Sequence, residues 1–177
     1  MAYVFQIVDC EVLPPHRDLV EAATRGVSNV VIEHLTAKND RAKHREGFPR
    51  SNYWSEAADA VTTEMDGTVG VVSIPKEGVA IHFYGGVIYP GNGKKALAIP
   101  VNPAVAGMRA AEYDPNKDKL DFVPSQDGKA PTLRDPETDA VFYVLLSSTR
   151  IKADPTVLPT DDAMFEGASD AMEAVLC

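Results

Sequence analysis

The sequence predicts an α+β fold, a mostly antiparallel sheet packed against one long N-terminal helix, with short helices and a C-terminal acidic helix. Three observations carry this expectation. Apolar side chains recur at helical spacing between residues 16 and 38. Short β-branched runs follow, two of them flanking Asp66-Gly67, a dipeptide suited to a tight hairpin turn. Thirteen prolines and twelve glycines in 177 residues argue for many turns and against a plain helical bundle. The length predicts a single domain over residues 1–177. The 45% hydrophobic and 24% charged content excludes disorder, collagen and coiled coil as overall descriptions.

Tyr3 to Val8 is an apolar run rich in β-formers, a first strand that Pro14-Pro15 stops. His16 to Lys38 is the strongest helix, with Leu19, Ala23, Val27, Val30, Val31 and Leu35 on one side and Arg17, Asp18, Glu21, Arg25 and Glu33 on the other. Its prolines precede it, where a helix tolerates them. Residues 39–50 form a basic polar connector. Ser51 or Asn52 can cap a short helix that places Glu56 in its first turn and packs Trp54 inward. Val61 to Met65 and Thr68 to Ile74 make the hairpin, and Pro75 ends it. Gly78 to Tyr84 suits a helical turn. Gly86 to Pro90 and Lys95 to Val101 look like another strand pair, turning at Gly91-Asn92-Gly93-Lys94. A short helix is expected within Pro103 to Tyr113. Residues 114–139, punctuated by Pro115, Pro124, Pro131 and Pro136, suggest an extended arm with short strands at Leu120 to Val123 and Thr132 to Leu133. Ala140 to Ile151 reads as one long strand. After Asp154-Pro155 and Pro159, Thr160 or Asp161 caps a final helix through Ala163, Met164, Ala168, Met172 and Leu176.

The net charge of −9 disfavours a global attraction to nucleic acid or to an anionic membrane. The charge is uneven: residues 1–50 hold seven basic and seven acidic side chains, whereas 153–177 hold six acids and no Lys or Arg. Cys10 and Cys177 are too few for a disulfide framework and read as free thiols. The first residues show neither a basic n-region nor a long apolar stretch, and the longest uncharged apolar run, Ala140 to Leu146, falls far short of the roughly 18 residues of a membrane span. A cytoplasmic product is expected.

Motifs that carry chemistry are sparse. There is no Gly-x-Ser-x-Gly elbow. Gly86 to Lys95 is glycine-rich, but its spacing and the strand after it do not make a phosphate loop. His16, His34, His44 and His82 form no metal-ligand pattern with each other or with the cysteines. Asp161-Asp162 is explained by capping and the helix dipole. No metal, cofactor or catalytic residue is therefore expected. The basic cluster 41–50 lacks interleaved aromatic residues until Phe48, unlike a single-strand nucleic-acid platform.

Five phrases, taken together and in order, carry a resemblance. They are Phe48-Pro-Arg-Ser-Asn-Tyr-Trp-Ser-Glu-Ala-Ala58, Asp66-Gly67 with Val69-Gly-Val-Val-Ser-Ile74, Gly85-Gly86-Val-Ile-Tyr-Pro90, Lys95-Ala-Leu-Ala-Ile-Pro100 and Asp154-Pro-Thr-Val-Leu-Pro-Thr160. The stretch from Arg41 to Asp162 resembles the virion morphogenesis, tail-completion or head–tail joining proteins of Mu-like and related tailed bacteriophages. The resemblance implies a structural ring at the neck or the head-proximal end of the tail. It implies a virion location after assembly in the host bacterial cytoplasm. The partners would be further copies of the chain and neck, connector or tail-tube proteins, with DNA only as passing cargo and no membrane. No catalytic residue is carried over.

A ring subunit needs surfaces that join neighbours. The candidate interface residues are the basic Arg41, Lys43, Arg45 and Arg50 and the acidic Asp161, Asp162 and Glu166, since opposite charges at separate sites suit a head-to-tail contact. An acidic surface lining a channel would also repel DNA phosphates. Two other readings make different demands. A small soluble enzyme would bring titratable groups such as His82, Tyr84 and Glu56 into one pocket. A monomeric adaptor would show one apolar patch and no self-association.

Overall fold

A computed structural model of the chain describes residues 2–6, 17–42, 45–113, 120–126 and 128–176. It is an α+β protein, as the sequence predicts. Cys10, Cys177, His16, His44, Lys43 and Pro14-Pro15 lie outside the described residues. Where the length suggests one domain, the described residues gather into two compact units. One is drawn from 1–42, 51–85 and 152–177, the other from 43–50 and 86–151.

The first unit is built around helix α1 (Arg17–Arg41). Val20, Ala23, Val27, Val31 and Leu35 fall at steps of three and four and are all buried. Asp18 opens the helix and Lys38 and Arg41 close it, each charge placed favourably for the helix dipole. Strands β1 (Ala2–Gln6), β2 (Thr62–Asp66) and β3 (Val69–Ser73) form an antiparallel sheet in the order β1-β3-β2. Asp66 pairs with Val69 across the expected hairpin turn, with Gly67 at φ 61°. On β3, Val72 is buried in the core and Gly70 lies under Thr24 of α1. A Cβ at Gly70 would meet the Thr24 hydroxyl at 1.7 Å, so only glycine lets the helix settle on the strand. Thr24 turns its Oγ1 back to donate to the Val20 carbonyl at 2.7 Å.

Helix α2 (Tyr53–Asp59) contributes Ala57 and Ala58 to the same core, and helix α3 (Val79–Tyr84) contributes Val79. A 3-10 turn, Pro155–Val157, leads to helix α4 (Asp161–Leu176). Thr160 caps α4: its Oγ1 accepts from the Ala163 N–H at 3.3 Å. Helix α4 lies against α1 at a glycine crossing. A Cβ on Gly26 would sit 2.1 Å from the Gly167 carbonyl oxygen, and one on Gly167 2.4 Å from Val30 Cγ2.

The second unit holds two antiparallel sheets. Strands β5 (Leu97–Pro100), β6 (Asp121–Val123), β7 (Thr132–Arg134) and β8 (Val141–Leu146) are ordered β5-β8-β7-β6. Strand β4 (Gly86–Ile88) pairs with β9 (Thr149–Ile151). Phe142 and Tyr143 of β8 and Val105 form the core of this unit, with Leu120, Leu133 and Ala98 packed against it. The buried Tyr143 hydroxyl donates to the Met108 carbonyl at 3.2 Å, and burial raises its pKa.

Four expectations for this unit change. Segments 86–90 and 95–101 do not pair with each other; β4 joins β9 and β5 joins β8. The expected turn at Gly91-Asn92-Gly93-Lys94 does form, with Asn92 (φ 55°) and Gly93 (φ 72°) left-handed and the Lys94 N–H donating to the Gly91 carbonyl at 3.1 Å, but Pro90 precedes it and the whole connection, residues 89–96, is too long for a tight hairpin. The run from Ala140 to Ile151 is not one strand. The polar pair Ser147-Ser148 ends its apolar stretch, and the chain crosses from one sheet to the other there. Within 103–113 the helix is only the 3-10 turn Pro103–Val105, capped by Asn102, whose Oδ1 accepts from the Ala104 N–H. The expected strands within 114–139 do form, as β6 and β7, and they pair as part of the four-stranded sheet rather than as a free arm.

Candidate basic pocket and acidic helix

The C-terminal half of α1 places His34, Lys38 and Arg41 at steps of four and three, on one helix face. Together with Ala42, Trp54 of α2 and Thr156 of the 3-10 turn they line a cavity of about 290 Å³. His34 Nε2 lies 3.0 Å from the Thr156 carbonyl oxygen. Lys38 Nζ donates to Asp154 Oδ2 at 2.9 Å and to the Thr156 carbonyl at 3.3 Å, and it stands 5.3 Å from the Trp54 ring centre. The indole face thus carries a cation over it.

Asp154 anchors this corner. Its Oδ1 accepts from the Thr156 hydroxyl at 2.6 Å and the Thr156 N–H at 3.0 Å. These bonds, chiefly the Thr156 hydroxyl and then Lys38, hold the Asp154 carboxyl down at about 2. Lys38 is engaged by these acceptors. Arg41 differs: its Nε donates to the Ala37 carbonyl at 3.2 Å, which leaves the guanidinium fork as a donor for a further partner. The pocket is therefore a cationic rim beside an aromatic wall. That composition suits a carboxylate next to an apolar or aromatic group.

Arg41 belongs to the first unit and lines the pocket, while Arg45 and Arg50 belong to the second. Arg45 donates to the Val101 carbonyl at 3.2 Å and lies 4.5 Å over the Phe48 ring. Arg50 is exposed. Lys43 lies outside the described residues. Asp161, Asp162 and Glu166 are all exposed on the first turns of α4. Helical spacing puts Asp162, Glu166 and Glu173 along its outer face, with Phe165, 72% exposed, at the flank of that face.

No sequence pattern joins His34, Lys38, Trp54, Asp154 and Thr156 into one site. The spacing of His34, Lys38 and Arg41 was the available signal. Trp54 comes from the next helix, whereas Thr156 lies 122 positions from His34 and Asp154 lies 116 from Lys38.

The three groups named for an enzyme are engaged separately. His82 packs against Tyr53 and Trp54, with ring centres 5.6 and 5.2 Å away. Glu56 is paired with Lys76, and Tyr84 is exposed and packs against Phe83. No hydrogen bond among the described residues joins any two of them. Among the described residues no cluster of three or more His, Cys, Asp or Glu side chains is placed to hold a metal ion, and no helix is long and apolar enough to cross a membrane. No family model, no curated protein and no solved structure matches the chain.

Proposed function

We propose that this chain is a structural subunit of a bacteriophage head–tail interface, assembling with further copies of itself into a neck, tail-completion or tail-terminator ring, without catalysis. The ordered sequence phrases from Phe48 to Thr160 are the reason for naming that assembly.

One structural observation favours an assembling protein. Sheet β4–β9 has only two strands among the described residues, so each strand keeps an open edge. All three residues of β4 are exposed, and Tyr89, just beyond it, is 69% exposed. An apolar strand with an unpaired edge is a template for strand addition by a neighbour. Monomeric proteins blunt such edges with charge. Here Val87, Ile88 and Tyr89 are left in their place.

The test is to install that charge. In a Val87→Lys/Tyr89→Lys variant, sedimentation velocity is expected to show assemblies falling to smaller species while circular dichroism stays that of the parent. Assembly equal to that of the parent removes this strand as a joint between copies.

A further inference from the structure

We infer that the pocket bounded by α1, Trp54 and Thr156 receives the acidic outer face of helix α4 from a second copy of the chain, and so forms a head-to-tail contact. The inference rests on the ring reading and names the surfaces that would meet.

The argument is complementarity between two features of the same unit. The pocket offers Arg41 and Lys38 beside the Trp54 indole. Asp154 offsets Lys38, so among the described residues the rim's remaining positive charge belongs to Arg41. Helix α4 offers the reverse pattern. Asp162, Glu166 and Glu173 share its outer face with Phe165, an aromatic side chain left 72% exposed on a strongly acidic helix. From Ala153 to Cys177 no basic residue offsets these acids.

An exposed phenylalanine between carboxylates fits an aromatic wall with cations at its edge. Phe165 can cover the indole while Glu166 or Asp162 accepts from the Arg41 fork. Burial of α4 through Met164 and Ala168 fixes which face it shows to a neighbour. The two surfaces differ, so their contact is heterologous. Repeated by a rotation that closes, it builds a ring. An α4 docked in this way is not available to line a DNA channel, and the two roles exclude each other for this face.

Charge exchange on the full-length protein tests the contact. Arg41 and Glu166 are both exposed, so reversing either leaves the core untouched. Arg41→Glu and Glu166→Arg are each expected to raise the concentration for half-assembly at least about tenfold in low salt, the scale of losing a desolvated charge pair. The double variant, with both charges exchanged, is expected to recover most of the loss. Trp54, the only tryptophan, reports locally. Its emission is expected to shift as wild-type chains associate and to stay constant in the Phe165→Ser variant. Rings that form equally well in both single reversals overturn this contact and leave the ring reading standing. Wild-type chains that stay monomeric at every soluble concentration, with constant Trp54 emission, overturn the contact together with self-assembly in solution.

Discussion

Asp154 shows how one side chain ties three segments together. It caps the 3-10 turn, orients Thr156 and pairs with Lys38 at 2.9 Å, beneath the Trp54 face. Its carboxyl is held at about 2, against roughly 3.9 for an unperturbed aspartate. A carboxyl with a lowered folded-state pKa stabilises the fold fully above its unfolded value and loses that contribution as pH falls toward the folded one. Asp154→Asn is therefore expected to lower stability at pH 7 by about 1 kcal/mol, the discounted value for a pair whose carboxylate side chain is 43% exposed. The gap between wild type and variant should close between roughly pH 4 and pH 2. Thermal melts at pH 7 and pH 2 check this, and a gap that is constant with pH contradicts the assignment. The role was hidden in the sequence because Asp154-Pro155 carries the signature of a break. Its partner Lys38 is 116 positions distant, and no local pattern links them.

At the scale of elements, the α1–α4 crossing depends on two missing side chains. Alanine is intrinsically favoured over glycine inside a helix by about 1 kcal/mol. At Gly26 the added methyl would lie 2.1 Å from a backbone oxygen of α4, which cannot rotate aside. Overpacking of this kind costs about 1–3 kcal/mol or more, so Gly26→Ala is expected to lower the melting temperature by several degrees despite its better propensity. A raised melting temperature contradicts the close crossing. Helix α1, the 66–69 hairpin and α4 were legible because their signals are local: a 3.6-residue period, Asp-Gly between β-branched runs, and a capping Thr160. The partners of β4 and β5 were not. Both segments read as strands, but adjacency in sequence suggested a hairpin. The actual partners, β9 and β8, follow from the crossing at Ser147-Ser148; two serines after an apolar run mark a break there but name no partner strand.

At the scale of the whole molecule, the fold class and the positions of most elements follow from composition and periodicity, while the two compact units do not. The chain enters the second unit at 43–50, returns to the first at 51–85, leaves for 86–151 and comes back. No linker composition marks those crossings, so length alone suggested one domain. The candidate site was legible in part. Arg41 and the α4 acids were named from charge, but the pocket that gives Arg41 a setting required the fold. Arg45 and Arg50 share its charge and belong to another unit. An exposed apolar strand, a cationic aromatic pocket and an acidic helix with a bare Phe165 are surfaces that nothing among the described residues covers, and assembly into a ring would cover them. The most direct test of that claim is the mass of the purified wild-type protein in solution by light scattering, with negative-stain images of the same sample. Ring assembly predicts a discrete multimer and closed rings of uniform diameter; a single monomeric species across the soluble concentration range, with no rings in the images, contradicts it.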